Sequence, residues 1–304
     1  MTNQACYPVP LETTQTTPTR TLKHAMGTTQ VPIAPERVVV LDTAPLDAAL
    51  ALEIQPVGTA IYKEFPPYLS DRVDNITLVG DPNQPNLEAI LALNPDLILW
   101  SQPGGNLYEK LSQIAPTVFT DNGGQVGKDA WQDNFLLYAE ALGKVEQAEQ
   151  LLQSYRQRVQ QLQETISQPQ ALKVSVLIVN DNVRAYTAGS FSGSVLQDVG
   201  FSRPLAQAES KGYALELSPE TLDELDGDYI FLVYSTYRPG GFQKDDFISN
   251  PIWSQLQAVQ QDRVCEVNGD VWIAGRSILA VNQILTDIET CLESGDLETV
   301  ERVD

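Results

Sequence analysis

The chain has 304 residues, with 40 Asp and Glu against 19 Lys and Arg, giving a formal net charge of −21 at pH 7. That balance excludes a nucleic-acid partner, because a phosphate-binding surface needs clustered cations, and it disfavours direct adsorption on anionic lipid. Hydrophobic residues at 42% and charged residues at 19% describe a globular chain long enough for two domains, each with its own core.

Residues 1–23 read as a flexible tether, since positions 1–21 hold seven Thr, two Gln and three Pro with almost nothing large to bury. The first ten residues lack the apolar core of a signal peptide, and no run approaches the ~18 apolar residues that span a bilayer. The chain is therefore expected to be cytoplasmic or already processed. Cys6 follows Ala, as a lipidated Cys follows a small residue in bacterial lipoproteins, but Met-Thr-Asn-Gln before it lacks the expected apolar position. From 24 to 143 short apolar runs (Val38–Leu41, Val57–Ile61, Thr77–Gly80, Leu97–Trp100, Val118–Thr120) alternate with helical patterns (Leu46–Leu52, Asn86–Leu93, Leu107–Ala115, Trp131–Leu142). Such alternation predicts an α/β lobe with a mainly parallel sheet covered on both faces, which binds ligands beyond the carboxyl ends of its strands.

Residues 144–168 contain neither Gly nor Pro. Their apolar positions, Val145, Ala148, Leu151, Leu152, Tyr155, Val159, Leu162 and Ile166, form one helical stripe between Gly143 and Pro169. This segment is expected to be a strut between lobes, roughly 35 Å long at the α-helical rise. Residues 169–304 repeat the α/β pattern, with strands at Lys173–Asn180, Val183–Thr187, Tyr229–Ser235 and Val264–Val267, then a closing helix at Ser277–Leu292. The turn at Asp181-Asn182 suits a hairpin, and the acidic residues from Glu293 to Asp304 are expected to fray. An internal repeat links the two lobes. NLEAILALNPDLILW (86–100) runs beside SPETLDELDGDYIFL (218–232), matching at Glu88/Glu220, Ile90/Leu222, Leu93/Leu225, Asp96/Asp228 and Ile98/Ile230. Cys265 and Cys291 either pair, if the closing helix folds back over the strand at Val264, or remain two buried thiols.

Enzyme signatures are scarce. The single His, His24, falls on the tether and reads as a solvated side chain; there is no phosphate loop, no GxSxG and no His-bearing metal cluster. Aromatic residues and Arg instead gather at expected strand ends: Tyr62, Trp100, Arg184 with Tyr186, Tyr234, Tyr237 and Arg238, then Trp272 and Arg276 before the last helix. Any one of them reads equally well as a cap on its lobe's core. Together they suit a large, flat, anionic ligand held by stacking, hydrogen bonds and charge.

HAMGTTQVPIAPERVVVLDTAPLDAALALEIQPVG (24–58), NLEAILALNPDLIL (86–99) and GDVWIAGRSILAVNQILTDIE (269–289) resemble the iron-siderophore substrate-binding proteins of ABC importers, relatives of the ferrichrome, ferric citrate and cobalamin binders. The resemblance, from about His24 to Glu293, implies two α/β lobes joined by one long interlobe helix, the class III periplasmic-binding-protein arrangement. It implies a monomeric periplasmic or membrane-tethered receptor that takes a ferric siderophore between its lobes. It places permease-docking glutamates at Glu88 and Glu220, and puts Trp272 and the region of Tyr186 on the cleft. Iron would arrive wrapped in its chelator, so no cofactor or metal ligand of the protein's own is expected. Cobalamin or heme capture by the same fold is the nearest alternative. A two-lobed enzyme such as a glycosyltransferase would need paired strand-end carboxylates; Asp42 and Asp121 lie near such ends without being oriented as a pair.

Overall fold

The computed structural model describes residues 18–102, 106–121, 130–179, 183–209, 212–234 and 247–297. Its first element overturns part of the expected tether. Thr19–His24 (β1) pairs antiparallel with Gly27–Pro32 (β2), in register from Thr19↔Pro32 to His24↔Gly27. The Thr-rich stretch is β-branched, and alternation turns Leu22 and Val31 into the core. Arg20 fixes the hairpin by donating to the carbonyls of Ile33 (2.8 Å), Ala141 (3.0 Å) and Glu140. Gly143 permits this approach: its φ is +72°, and a Cβ there would meet the Ile33 carbonyl at 2.6 Å. His24 is buried rather than solvated. Its Nδ1 accepts from the amides of Met26 (3.3 Å) and Phe119 (3.4 Å), which leaves Nε2–H to donate to the Thr29 hydroxyl at 2.8 Å.

The first lobe continues through β3 (Val38–Leu41), α1 (Thr43–Ala51), β4 (Gly58–Thr59), β5 (Thr77–Leu78), the small hairpin β6 (Gly80–Asp81) and β7 (Gln84–Pro85), α2 (Leu87–Ala92), β8 (Leu97–Trp100), α3 (Leu107–Ser112), β9 (Thr117–Phe119) and α4 (Ala130–Leu142). Five strands form a fully parallel sheet in the order β5-β4-β3-β8-β9. Val38, Val40, Leu97 and Leu99 face one core, and Val39, Leu41, Ile98 and Trp100 face the other. Apolar runs without alternating polar residues follow from burial on both faces.

The strut is α5, Val145–Thr165, and it buries Ala148, Leu152, Tyr155, Val159 and Leu162 at spacings of three and four. It ends earlier than Gln168: Ile166 is already extended, Gln168 is left-handed, and Pro169 opens a short 3₁₀ turn. Tyr155 donates to Asp198 at 2.9 Å, and Arg158 reaches the Asn282 carbonyl (2.7 Å), Thr286 (2.8 Å) and Glu289 (2.7 Å). The second half of the strut is thus bonded to the second lobe.

That lobe comprises β10 (Val174–Val179), β11 (Val183–Tyr186), α6 (Phe191–Val199), α7 (Leu205–Glu209), β12 (Ala214–Leu217), a 3₁₀ segment at Pro219–Leu225, β13 (Tyr229–Tyr234), α8 (Gln257–Gln260), β14 (Val264–Asn268), a π-type turn at Asp270–Gly275 and α9 (Ile278–Leu297). The sheet order is β12-β11-β10-β13-β14; β10, β13 and β14 are parallel, while β11 runs against both its neighbours. β12 had no counterpart among the expected strands. α9 continues to Leu297, past the Glu293 at which fraying was expected. A disulfide joins Cys265 on β14 to Cys291 on α9 across 26 residues, with Cα atoms 5.9 Å apart, which settles the question of their pairing. The core that packs around α5 and α9 draws residues from both lobes, so the lobes share one apolar seam. No helix among the described residues is long and apolar enough to cross a membrane.

Candidate ligand cleft

Beyond the carboxyl ends of the first lobe's strands lie Asp42 after β3, Tyr62 after β4, and Ser101 and Gln102 after β8. Asp42 is buried and accepts from the Thr43 amide (2.8 Å), the Ser101 hydroxyl (2.7 Å) and the Gln102 side chain (2.9 Å). With its lone pairs so engaged it anchors the strand ends rather than serving as a free base. Tyr62 is half-buried, and burial, followed by the negative charge of Asp42, pushes its hydroxyl up to about 12. It therefore stands neutral, able to donate or accept.

Arg276 comes from the second lobe and acts on that same Tyr62, its positive charge pulling the hydroxyl back down. It occupies a left-handed turn (φ 50°) between the π-type turn and α9, with Nε donating to the Ile273 carbonyl at 3.0 Å. The turn holds the guanidinium near the junction of the two lobes. Tyr234, at the end of β13, is half-buried and lines a cavity of about 570 Å³ with Pro67 and Tyr68 of the first lobe and Asn268, Gln283 and Asp287 of the second. Tyr234 thus lies where the lobes meet, in a cavity that neither Tyr62 nor Arg276 lines.

Other expected cleft residues lie elsewhere. Trp100 is only 2% exposed and packs on Phe119 with ring centroids 4.8 Å apart. Trp272 is fully buried at 0%, stacks on Phe231 at 4.5 Å, and donates its indole N–H to Asp287 at 2.7 Å. Both indoles fill the tops of lobe cores, where a large ring removes the most apolar area. Tyr186 was expected at a carboxyl-terminal strand end of the cleft, but β11 is antiparallel. Val183 lies level with Val179 at the carboxyl end of β10, so Tyr186, beyond the Leu177↔Ala185 pair, points the chain back toward that strand's amino end, and its side chain is buried. Arg184, on the same strand, is already paired with Glu216 on β12 at 3.1 Å. Arg203 is buried under the second sheet, donating to the Tyr186 carbonyl and to Gln207; burial pushes its guanidinium down to about 9. Tyr237 and Arg238 fall outside the described residues.

Glu88 is exposed in the first turn of α2, two residues after its cap Asn86, whose side chain accepts from the Ala89 amide at 3.0 Å. Glu220 stands two residues after Ser218 in the 3₁₀ segment. Their backbone positions are thus equivalent in the two lobes. Ser101, Gln102 and Asp47 were not among the expected site residues; the first two are legible as polar residues directly after an apolar strand, whereas nothing local distinguishes Asp47 within its helix. Among the described residues no group of three or more His, Cys, Asp or Glu is placed to hold a metal ion.

Two α/β lobes, one rigid bridging helix and polar strand ends converging at their junction define a two-lobed solute-binding receptor. Residues 38–271 match the periplasmic binding protein family, and the chain belongs to that family. It is 34% identical to a probable siderophore-binding lipoprotein, YfiY, of Bacillus subtilis, over 90% of this chain and 87% of that protein. It is 35% identical to the achromobactin-binding periplasmic protein of Dickeya dadantii, over 84% and 85% of the two chains. The crystal structure of Staphylococcus aureus SirA complexed with staphyloferrin B aligns with a TM-score of 0.78 at 30% identity, covering 90% of this chain and 98% of that one.

Proposed function

We propose that this protein is an extracytoplasmic receptor that captures a ferric siderophore between its lobes and delivers it to an ABC import permease. The observation that carries the reading is the similarity of the chain, over nearly its whole length, to siderophore-binding proteins, with Tyr62 after β4 of the first lobe and Arg276 before α9 of the second as its candidate contacts. A guanidinium and a neutral phenol suit an anionic chelate, and a cleft that receives iron already wrapped needs no metal ligands of its own. Tyr62, Tyr234 and Arg276 supply contacts from the described residues, and Tyr237 and Arg238 complete the candidate set. The receptor acts as a monomer, held at the membrane through Cys6 or free in the periplasm, and Glu88 and Glu220 engage basic residues of the permease.

Calorimetric titration of the purified chain with a panel of ferric chelates, each beside its iron-free chelator, tests this reading. Saturable one-to-one binding of at least one ferric chelate is expected. Failure of every ferric chelate in a panel spanning catecholate, hydroxamate and carboxylate types would overturn it.

A further inference from the structure

Helix α9 begins in the second lobe, but the group that satisfies its first free amides belongs to the first. The amides of Leu279 and Ala280 donate to the two carboxylate oxygens of Asp47 on α1, each at 2.9 Å, across 232 and 233 residues of chain. Tyr68, also of the first lobe, donates its hydroxyl to the same carboxylate at 3.1 Å. Asp47 is fully buried, and the opening of a 20-residue helix is where a carboxylate gains most from unpaired N–H groups and the helix dipole. Burial nevertheless pushes Asp47 up to about 7 against these hydrogen bonds, so the contact is kept at a cost in desolvation.

The junction is tight on its other side as well. A Cβ at Gly275 would lie 2.2 Å from the Ala280 Cβ and 3.1 Å from the Tyr68 hydroxyl, so a glycine is needed where the turn, α9 and the first lobe meet. Between Gly275 and the capped amides stands Arg276, in a left-handed conformation that a side-chain-bearing residue adopts only when its surroundings impose it. Its positive charge is felt by Tyr62, which is again of the first lobe.

We propose that Asp47 is a positioning residue for the cleft: by capping α9 from the opposite lobe, it sets the separation of the lobes and the placement of Arg276, three residues before the first capped amide. The chain passes from the π-type turn through Arg276 to the capped amides in three residues, so the backbone at Arg276 is tied to the cap. Asp47 touches no ligand in this account. It acts on binding through Arg276, and the idea that Arg276 meets the ligand rests on the proposed function, whereas the latch between lobes does not.

The test separates these two parts. Spin labels placed at Glu109→Cys in the first lobe and Gln260→Cys in the second, both exposed positions, in a Cys6→Ser background, report the interlobe distance of the ligand-free protein. Asp47→Asn keeps one acceptor oxygen but turns a donor toward the second amide. It should lengthen and broaden that distance and speed exchange of the Leu279 and Ala280 amides about tenfold, the size of a lost cap. Tyr68→Phe, which keeps the ring and the fold, should give a smaller change of the same sign. A lower melting temperature with an unchanged distance distribution in both variants would reduce Asp47 to a purely structural role and overturn the proposal. With a ferric chelate that binds the wild type, Asp47→Asn and Arg276→Ala should combine non-additively, the double variant binding no worse than Arg276→Ala; additive losses would equally overturn it. If no ferric chelate binds the wild type, the proposed function fails while the distance result still decides the latch.

Discussion

Asp96 and Asp228 perform the same task in the two lobes. Asp96 accepts from the amides of Glu36 (2.7 Å) and Arg37 (2.9 Å) just before β3, and Asp228 accepts from the Lys173 amide (2.7 Å) just before β10. Each precedes the strand that pairs alongside, β8 beside β3 and β13 beside β10, so each pins the start of the central strand pair of its sheet. The internal repeat seen in the sequence thus has a physical counterpart in one equivalent backbone clamp per lobe.

Removing either clamp should destabilise the protein without touching the cleft. Asp96→Ala and Asp228→Ala are each expected to cost about 1.5–3 kcal/mol, the range for hydrogen bonds to a charged acceptor, reduced where solvent reaches the group. Urea unfolding measures the loss, and ferric chelate affinity should stay at the wild-type value. A fall in affinity matching the fall in stability would place these residues in the site.

The arginines should separate. Arg276 faces the lobe junction, so Arg276→Ala should weaken ferric chelate binding by about 1.5–3 kcal/mol, the size of a charge-assisted contact. Arg184 already has Glu216 as its partner, and Arg184→Ala should change affinity by less than about 1 kcal/mol, as for an exposed ion pair. Calorimetry on both variants decides; equal losses would return Arg184 to the cleft.

Much of the fold was legible because it rests on periodicity. The strut's stripe at Ala148, Leu152, Tyr155, Val159 and Leu162 and the alternating strand and helix runs are properties of local sequence. The cleft was legible only in part. Trp100 ends its strand and Trp272 stands in the turn before the last helix, but whether an indole faces solvent or core depends on which helix covers it, and Trp272 turns inward to Asp287, a residue fifteen positions away. Tyr186 was misplaced because the sign of a strand's direction is set by its pairing partner, which a single run does not record. The tether hid a strand since Thr-rich composition suits either disorder or an edge, and the deciding contacts, from Arg20 to Glu140 and Ala141, lie some 120 residues on. Asp47 was invisible for the same reason: its partners are at the far end of the chain.

Three buried titrating groups act on stability, two carboxyls in one direction and a histidine in the other. Asp47 is raised from 3.8 to about 7 and Asp270, beside Glu64, from 3.8 to about 6, both chiefly by burial. The folded state then holds these protons more tightly than the unfolded chain, so their contribution is complete below about 3.8 and is lost as pH rises through about 6 to 7. His24 is lowered by burial from 6.5, so its contribution is present above 6.5 and is lost as pH falls below that. Between pH 5 and 8 the unfolding free energy of Asp47→Asn and of Asp270→Asn should fall less steeply with pH than that of the wild type. His24→Gln should fall more steeply below pH 6.5, having lost the opposing group. Denaturant unfolding across that range measures all three, and parallel curves for the wild type and both Asn variants would refute the assignment.

Delivery should separate from capture at Glu88 and Glu220. Exposed ion pairs are each worth only ~0.2–1 kcal/mol, so either Ala substitution alone should lower iron uptake modestly, and both together should lower it more through lost bivalency. Uptake in cells carrying the double variant, set against chelate titration of the purified protein, tests this. Normal uptake would remove the docking role, and lost chelate binding would move these residues into the cleft or the core.

The claim that a ferric chelate is held between the lobes is tested most directly by hydrogen exchange of the free and chelate-saturated protein. Slower exchange should appear together after the strands of both lobes, around Tyr62 and Gln102 in the first and around Tyr234 and Arg276 in the second, with the outer face of α5 unchanged. Protection confined to one lobe, or centred on α5, would contradict capture in the cleft.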